Sequence, residues 1–267
     1  MVMHGYAAFA PELAVAGDGF APEVHEELAG VEATCFWFTG RNDLVRFALQ
    51  RFFPAARSML EIGCGTGFVL SGVLSAIPEM RAVGGELFFT GLQQAGLRLP
   101  EAELLQMDAC QIPYAEEFDV AGAFDVLEHI DGDQCALREM FGAVKRGGGI
   151  IVTVPQHPRL WSVTDEIACH KRRYTSSELR AKIGAAGFRV AWITSYMTML
   201  LPALILSRLE SALFPPKAEK NAVLEELRIH PAFNALFDMI CKFERGLLYR
   251  GVTLPIGGSL LCVALKD

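Results

Sequence analysis

A glycine-rich segment at residues 61–67, Glu-Ile-Gly-Cys-Gly-Thr-Gly, has the spacing most suggestive of chemistry in this chain. It follows an apolar run and precedes an apolar helical stripe. Glycine lacks a Cβ atom, so it permits a tight turn and lets a ligand approach the backbone closely. The spacing therefore predicts a ligand-binding loop between a strand and a helix.

The glycine spacing disfavours two phosphate-binding interpretations of this loop. A dinucleotide fingerprint needs G-x-G-x-x-G or alanine in the last place, but here Gly67 comes one residue early and Phe68 follows it. A P-loop needs Gly-Lys-Ser or Gly-Lys-Thr, which does not follow. The ligand is therefore not expected to be held mainly through a phosphate.

Short apolar runs alternate with helical stripes along the chain, and they must position the loop. The runs predict strands at 58–62, 81–85, 103–107, 118–124, 149–154, 188–194 and 259–265. The stripes predict helices after Gly67, before Gly147 and from the capping residue Thr175, with another through 36–47. This alternation predicts a Rossmann-like, doubly wound α/β fold that binds ligands at the carboxyl ends of its parallel strands.

Four segments together resemble the class I S-adenosylmethionine-dependent methyltransferases of the type 11/12 kind. The loop 61–67 is similar to their first motif, Glu86 and Asp108 stand where their second and third strands end, and 118–130 resembles their fourth strand and the start of its helix. The resemblance implies seven strands, mostly parallel, with an antiparallel last strand. It also implies an N-terminal helical cap at 1–50 and a methyltransferase domain at 51–267 with a helical insertion at 195–258.

The resemblance also implies which residues contact S-adenosyl-L-methionine. Glu86 would accept hydrogen bonds from the ribose hydroxyls, Asp108 would lie near the adenine amino group, and Arg41 would reach the carboxylate of the cofactor. Carboxylates suit this ligand because hydroxyl and ammonium groups donate charge-assisted hydrogen bonds to them. The full predicted set is Trp37, Arg41, Glu61, Gly63, Cys64, Gly65, Gly67, Glu86, Leu87, Asp108, Ala109, Phe124 and Asp125.

Two further segments resemble a bacterial branch of this family that is often linked to glycan or lipid pathways. Residues 37–42 are similar to its W-F-x-x-R-N segment, and 165–166 with 170–174 are similar to its D-E and H-x-R-R-Y segments. Members of the branch differ widely in their methyl acceptors. The resemblance therefore predicts a pathway type and no particular acceptor.

Methyl transfer is an in-line displacement that depends chiefly on alignment, and we predict that it needs no metal here. The chain has no H-E-x-x-H motif, and neighbours such as Glu128 and His129 do not share a helix face. An oxygen or nitrogen acceptor still has to lose a proton. His129, His170 and Tyr174 are the predicted catalytic residues for that step, and each has an alternative role in packing or in a solvated basic run.

Composition restricts the partners. The 267 residues carry a net charge of −7, which argues against DNA binding. Seven cysteines without a C-x-x-C pair indicate reduced thiols and a cytoplasmic chain. The apolar insertion 195–258 indicates a lid, a dimer surface or an element that rests on a membrane, and it favours a small-molecule or lipid-like acceptor. The oligomeric state stays open.

Two other function classes remain as alternatives. A non-catalytic S-adenosylmethionine-binding or assembly protein would keep the pocket without transferring a methyl group. A nicotinamide oxidoreductase is less favoured, because Gly67 and Phe68 do not match the end of its pyrophosphate-binding fingerprint.

Overall fold

The centre of the structure is a mixed sheet, and the predicted ligand loop follows one of its strands. The computed structural model describes residues 1–15, 22–213 and 229–267, and within them the sheet has nine strands. They are β1 (Val2–Met3), β2 (Tyr6–Ala8), β3 (Ser58–Ile62), β4 (Arg81–Glu86), β5 (Glu103–Gln106), β6 (Phe118–Phe124), β7 (Val144–Pro155), β8 (Arg189–Tyr196) and β9 (Ser259–Leu265).

The strand order is β1-β2-β5-β4-β3-β6-β7-β9-β8. In this order, neighbouring strands pair in parallel from β2 to β7. Strand β9 is antiparallel to both β7 and β8. The predicted Rossmann-like fold and its antiparallel last strand are confirmed. The prediction of seven strands was two short, because β1 and β2 have two and three residues and are too brief to show a periodicity.

Helices cover both faces of the sheet. They are α1 (Pro22–Val31), α2 (Phe36–Phe52), α3 (Phe68–Ala76), α4 (Phe89–Arg98), α5 (Asp133–Ala143), α6 (Val163–Ile167), α7 (Ser176–Ala185), α8 (Leu201–Leu213) and α9 (Pro231–Tyr249). Helix α7 begins as predicted, since the Thr175 hydroxyl accepts a hydrogen bond from the Glu178 amide. The sequence pattern does not predict α1, α4 or α6.

Two hydrophobic clusters hold the helices to opposite faces. Consecutive side chains of β3 belong to different clusters. Met59 packs on the side of α2 and α3, and Leu60 packs on the side of α5 and α7. This separation follows from the alternation of side chains along a strand. Packing on both faces fixes the carboxyl ends of β3 to β6 relative to one another, and these ends carry the predicted site.

Helices α8 and α9 lie between β8 and β9, within the predicted insertion 195–258. Residues 214–228 of that insertion and residues 16–21 of the predicted cap lie outside the described residues. Helix α9 packs against α2, where the rings of Phe237 and Phe36 are 5.4 Å apart, and its Glu244 accepts a hydrogen bond from the Met199 amide. None of the described helices combines the length and the hydropathy needed to cross a bilayer.

A buried carboxylate joins α5 to α7. Asp133 accepts hydrogen bonds from the Tyr174 hydroxyl at 2.8 Å and from Lys182, and it pairs with Arg172 at 3.0 Å. Burial opposes ionisation of Asp133, but these bonds outweigh it and its pKa lies below the usual value. The cluster therefore holds the loop before α7 against the start of α5.

We expect Asp133→Ala to destabilise the protein by about 3 kcal/mol, because two cations and a buried hydroxyl lose their common partner. Thermal or urea unfolding measures the change. Arg189→Ala is the control, since Arg189 pairs with Asp267 at the surface, and we expect it to cost under about 1 kcal/mol. Equal losses in the two variants would contradict the assigned role of the Asp133 cluster.

Candidate active site

The glycine loop leaves the end of β3 in a backbone conformation that other residues rarely adopt. Gly63 has φ 64° and Gly65 has φ 51°. A Cβ atom on Gly63 would lie 2.6 Å from a methyl group of Val126, whereas one on Gly65 would meet open space. Gly63 is thus required by packing and by φ, and Gly65 leaves an open surface for a ligand.

Glu86 holds this loop from the neighbouring strand. One carboxylate oxygen accepts a hydrogen bond from the Gly65 amide at 2.9 Å, and the other accepts from the amides of Leu87 and Phe88. Asp108 follows β5, the next strand along, and accepts a hydrogen bond from the Cys110 amide. Three adjacent strands therefore present a loop and two carboxylates at one edge of the sheet.

A cavity of about 710 Å³ opens over this edge. Its volume lies toward the upper end of the range for small-molecule sites, roughly 300 to 1,000 Å³. The predicted cofactor residues that line it are Trp37, Arg41, Glu61, Gly63, Cys64, Gly65, Glu86, Leu87, Asp108, Ala109, Phe124 and Asp125. Gly67 does not line the cavity; it precedes α3 with φ 72° and packs against Ala95.

Arg41 forms part of the cavity wall. Its guanidinium donates hydrogen bonds to the Asp125 carboxylate and to the Phe124 carbonyl, and it stacks 4.7 Å from the centre of the Trp37 ring. The guanidinium is thus held by the protein itself beside the loop. Asp125 stands at φ 58°, a strained value for a residue that is not glycine.

Glu61 lies under the loop with almost no exposure, and one of its carboxylate oxygens has no hydrogen-bond partner among the described residues. Burial raises the pKa of Glu61 to about 8, although the positive charge of Arg41 opposes the rise. The folded protein therefore favours the neutral acid at this position.

Two of the three predicted catalytic residues line the cavity. His170 hydrogen-bonds through Nδ1 to Asp165 at 2.8 Å, and its ring centre is 4.7 Å from that of His129. Burial lowers the pKa of His129 to about 3, so this imidazole is a weak base. Burial opposes ionisation of Asp165, but hydrogen bonds from His170 and Arg173 lower its pKa to about 2.

Tyr174, the third predicted catalytic residue, does not line the cavity. Its side chain is fully buried, and its hydroxyl donates to Asp133. Burial raises the pKa of Tyr174. We do not retain Tyr174 as a catalytic residue, because it belongs to the buried cluster between α5 and α7.

Several lining residues were missed by the sequence analysis. Glu32, directly after α1, accepts a hydrogen bond from the loop hydroxyl of Thr66 at 2.7 Å and pairs with Arg98. No periodicity predicts α1, so nothing in the sequence placed Glu32 over the loop. Apolar lining residues from α2, from α8 with the residue before it, and from α9 are Phe36, Leu200, Ala203, Leu204 and Phe237. Only the tertiary packing brings them to the cavity.

Comparison with known proteins agrees with this geometry. The family described as "Methyltransferase domain" matches residues 60–152. A probable S-adenosylmethionine-dependent methyltransferase of Mycolicibacterium smegmatis is 25% identical over 61% of this chain and 63% of its own length. The malonyl-[acyl-carrier protein] O-methyltransferase of Haemophilus ducreyi is 30% identical over 41% of this chain and 43% of its own length. The chain thus spans less than two thirds of either relative.

One solved structure resembles the whole chain. The [4+2]-cyclase SpnF is 19% identical, with a TM-score of 0.61 over 98% of both chains, which shows a shared fold. The family match therefore places a methyltransferase domain at residues 60–152, and both sequence relatives are named methyltransferases. The family resemblance and the predicted cofactor are confirmed.

We expect Glu61→Gln to change how stability depends on pH. The folded protein keeps the proton of Glu61 up to about pH 8, whereas the unfolded chain loses it near the ordinary value of 4.5. Wild-type stability should therefore fall, relative to the variant, as pH rises from 5 to about 8. Melting temperatures of both proteins across that range, without ligand, measure the effect. Melting temperatures of the two proteins that change in parallel with pH would contradict the raised pKa of Glu61.

Proposed function

We propose that this protein transfers a methyl group from S-adenosylmethionine to an oxygen atom of a small hydrophobic or lipid-like acceptor. One observation carries the proposal: the glycine loop, Glu86 and Asp108 line the same cavity as apolar side chains of α8 and α9. The cavity wall therefore includes both polar and apolar side chains. The oxygen acceptor is proposed because the relative from H. ducreyi is named an O-methyltransferase.

The residues present fit this cofactor. Gly65 leaves open space where a side chain would stand, and Glu86 and Asp108 place carboxylate oxygens at neighbouring strand ends. When bound, S-adenosylmethionine supplies a methyl group on a sulfonium centre. Glu86 would accept hydrogen bonds from the ribose hydroxyls, Asp108 would hold the adenine, and Gly63 and Gly65 would border the methionine part.

The aromatic and aliphatic side chains above the loop would orient the acceptor and exclude water. Phe36 and Trp37 come from α2, Leu200 and Leu204 from the α8 region, and Phe237 from α9. Much of the rate of a methyl transfer can come from holding the nucleophile close to the methyl group and in line with it. We retain His129 and His170 as the residues that face the acceptor at the polar side of this space.

A non-catalytic or differently catalytic role is the second candidate, and one comparison favours it. A solved structure that shares this fold over 98% of the chain is titled a cyclase, so the fold does not by itself dictate methyl transfer. A nicotinamide oxidoreductase is not favoured, because the matched family is a methyltransferase domain.

Calorimetric titration with S-adenosylmethionine tests the cofactor site. We expect Glu86→Ala to weaken binding by about 100-fold or more, because charge-assisted hydrogen bonds to the ribose and the support of Gly65 are lost together. Glu101→Ala, at an exposed carboxylate outside the cavity, should bind like the wild type. Equal affinities of the Glu86 and Glu101 variants would overturn the site assignment.

Methyl transfer itself is tested by incubating a cell extract with the protein and a donor that carries a deuterated methyl group. We expect mass spectrometry to find a labelled, apolar product with wild type and none with Glu86→Ala. Binding of the donor with no labelled product in any fraction would favour the non-catalytic alternative.

We also propose that the acceptor is reached from a membrane surface. The exposed side chains Phe233, Leu236, Met239 and Phe243 recur every three or four residues along α9, and Leu206 of α8 is exposed as well. Such a stripe can enter the headgroup region of a bilayer. The two helices that carry it also line the cavity, so contact there would bring a lipid-like acceptor close to its entrance.

Flotation with vesicles of phosphatidylglycerol and phosphatidylcholine at low salt tests this contact. We expect wild type to co-migrate with the vesicles and the double variant Met239→Glu, Phe243→Glu to remain behind, because charge opposes insertion of the stripe. Leu97→Glu, on an exposed position of α4, is the control and should co-migrate. Failure of the wild type to float would remove the membrane part of the proposal.

A further inference from the structure

Three side chains with metal-ligating atoms meet at the cavity wall. Glu128 and His129 lie in a short turn after β6, Leu127–His129, and His170 lies in the segment after α6. One donor atom from each lies within 4.8 Å of the other two. All three residues line the cavity. Neighbouring positions in a regular helix point in different directions, but this tight turn and a distant segment bring the three together.

Glu128 is the member of the cluster that most needs a partner. Its side chain is fully buried, and neither carboxylate oxygen has a hydrogen-bond partner among the described residues. Burial of a polar group without a hydrogen bond costs several kcal/mol of folding free energy, and native structures avoid it. A carboxylate without hydrogen bonds on a cavity wall indicates that a ligand bound in the cavity supplies the missing partner.

The surrounding charges do not complete it, because each is already paired. Arg41 pairs with Asp125, and Arg173 pairs with Asp165 at 2.8 Å. Both arginines lie close enough to act on Glu128 through space, yet neither donates a hydrogen bond to its carboxylate. Since both arginines are paired with other carboxylates, a cation bound beside Glu128 would be the partner that its carboxylate lacks.

His170 is oriented as a ligand would be. Its Nδ1 atom faces a carboxylate oxygen of Asp165 at 2.8 Å. An ionised carboxylate only accepts, so Nδ1 carries the proton, and in the neutral imidazole Nε2 then keeps its lone pair. Metal-ligating histidines commonly donate their other ring N–H to a carboxylate in this way. Arg173 donates to the same oxygen of Asp165 and fixes that carboxylate in turn.

We propose that Glu128, His129 and His170 bind one divalent transition-metal cation of the zinc, cobalt or manganese type. Two imidazoles with one carboxylate form a set that such cations accept while keeping positions open for other ligands. Ligand atoms around a tetrahedral cation stand about 3.4 Å apart, for bonds of about 2.1 Å, so binding draws these side chains together by an ångström or so. This site replaces our expectation from the sequence that no metal takes part.

The role of the cation rests on the proposed methyl transfer. An acceptor hydroxyl on an open position of the cation would have a lowered pKa and lose its proton to water. An oxygen lone pair then forms the bond to the methyl carbon as the carbon–sulfur bond breaks, and its electron pair stays on sulfur as a neutral thioether. The cation is neither oxidised nor reduced.

Metal binding is tested first on the whole chain after treatment with a chelator, without donor or acceptor. We expect calorimetry with Zn²⁺ and with Co²⁺ to show one site per chain, and each of Glu128→Gln and His170→Asn to weaken binding by at least 10-fold. Asp165→Asn should weaken it by about 10- to 100-fold through the orientation of His170. His4→Asn, at an exposed histidine in the β1–β2 turn, is the matched control and should bind like wild type.

The Co²⁺ spectrum separates this site from binding by the seven cysteines. We expect visible bands without a thiolate charge-transfer band, and we expect Glu128→Gln to lose them while its circular dichroism stays native. No binding by wild type, equal binding by both ligand variants, or a thiolate band in place of the expected bands would overturn the proposal.

Titration of S-adenosylmethionine into the same proteins distinguishes failure of this inference from failure of the proposed function. Glu128→Gln and His170→Asn should still bind the donor within a few fold of wild type, because neither belongs to the glycine loop or to the carboxylates at the ends of β4 and β5. Full methyl transfer by metal-free protein would overturn the role of the cation. Metal binding without donor binding would overturn the proposed function alone.

Discussion

The hydrogen bond from the Gly65 amide to the Glu86 carboxylate is the contact on which the site depends. It joins the turn after β3 to the end of β4, while the second oxygen of Glu86 holds the chain leaving that strand. The turn can take this shape only because Gly63 and Gly65 adopt positive φ values. Since both strands are fixed by packing on two faces of the sheet, the cradle is largely formed before any ligand arrives.

Charge inside the cavity is arranged so that few groups remain uncompensated. Arg41 is neutralised by Asp125, Arg173 by Asp165, and Glu61 favours its neutral form because burial raises its pKa. Glu86 and Asp108 stay hydrogen-bonded to backbone amides at the cofactor end. Neither carboxylate oxygen of Glu128 has a hydrogen-bond partner among the described residues.

The apolar part of the cavity comes from elements far apart in sequence. Helix α2 precedes the sheet, whereas α8 and α9 fall between its last two strands, and the ring contact of Phe36 with Phe237 closes them over the cavity. Helices α8 and α9 also expose apolar side chains on their outer faces. One insertion thus both lines the cavity and exposes apolar side chains on its outer surface.

The amino-acid sequence by itself determined the α/β fold, the seven central strands, the glycine loop and the carboxylates Glu86 and Asp108, because periodicity and turn chemistry are local and the motifs lie at regular strand ends. It did not show the edge strands β1 and β2, which are too short for a pattern, or Glu32 over the loop. Tertiary structure alone decided that Tyr174 belongs to the Asp133 cluster and that His129 and His170 meet beside Glu128. Such contacts depend on how segments far apart in sequence pack in three dimensions. The spacing of residues along the chain does not determine their distance in space.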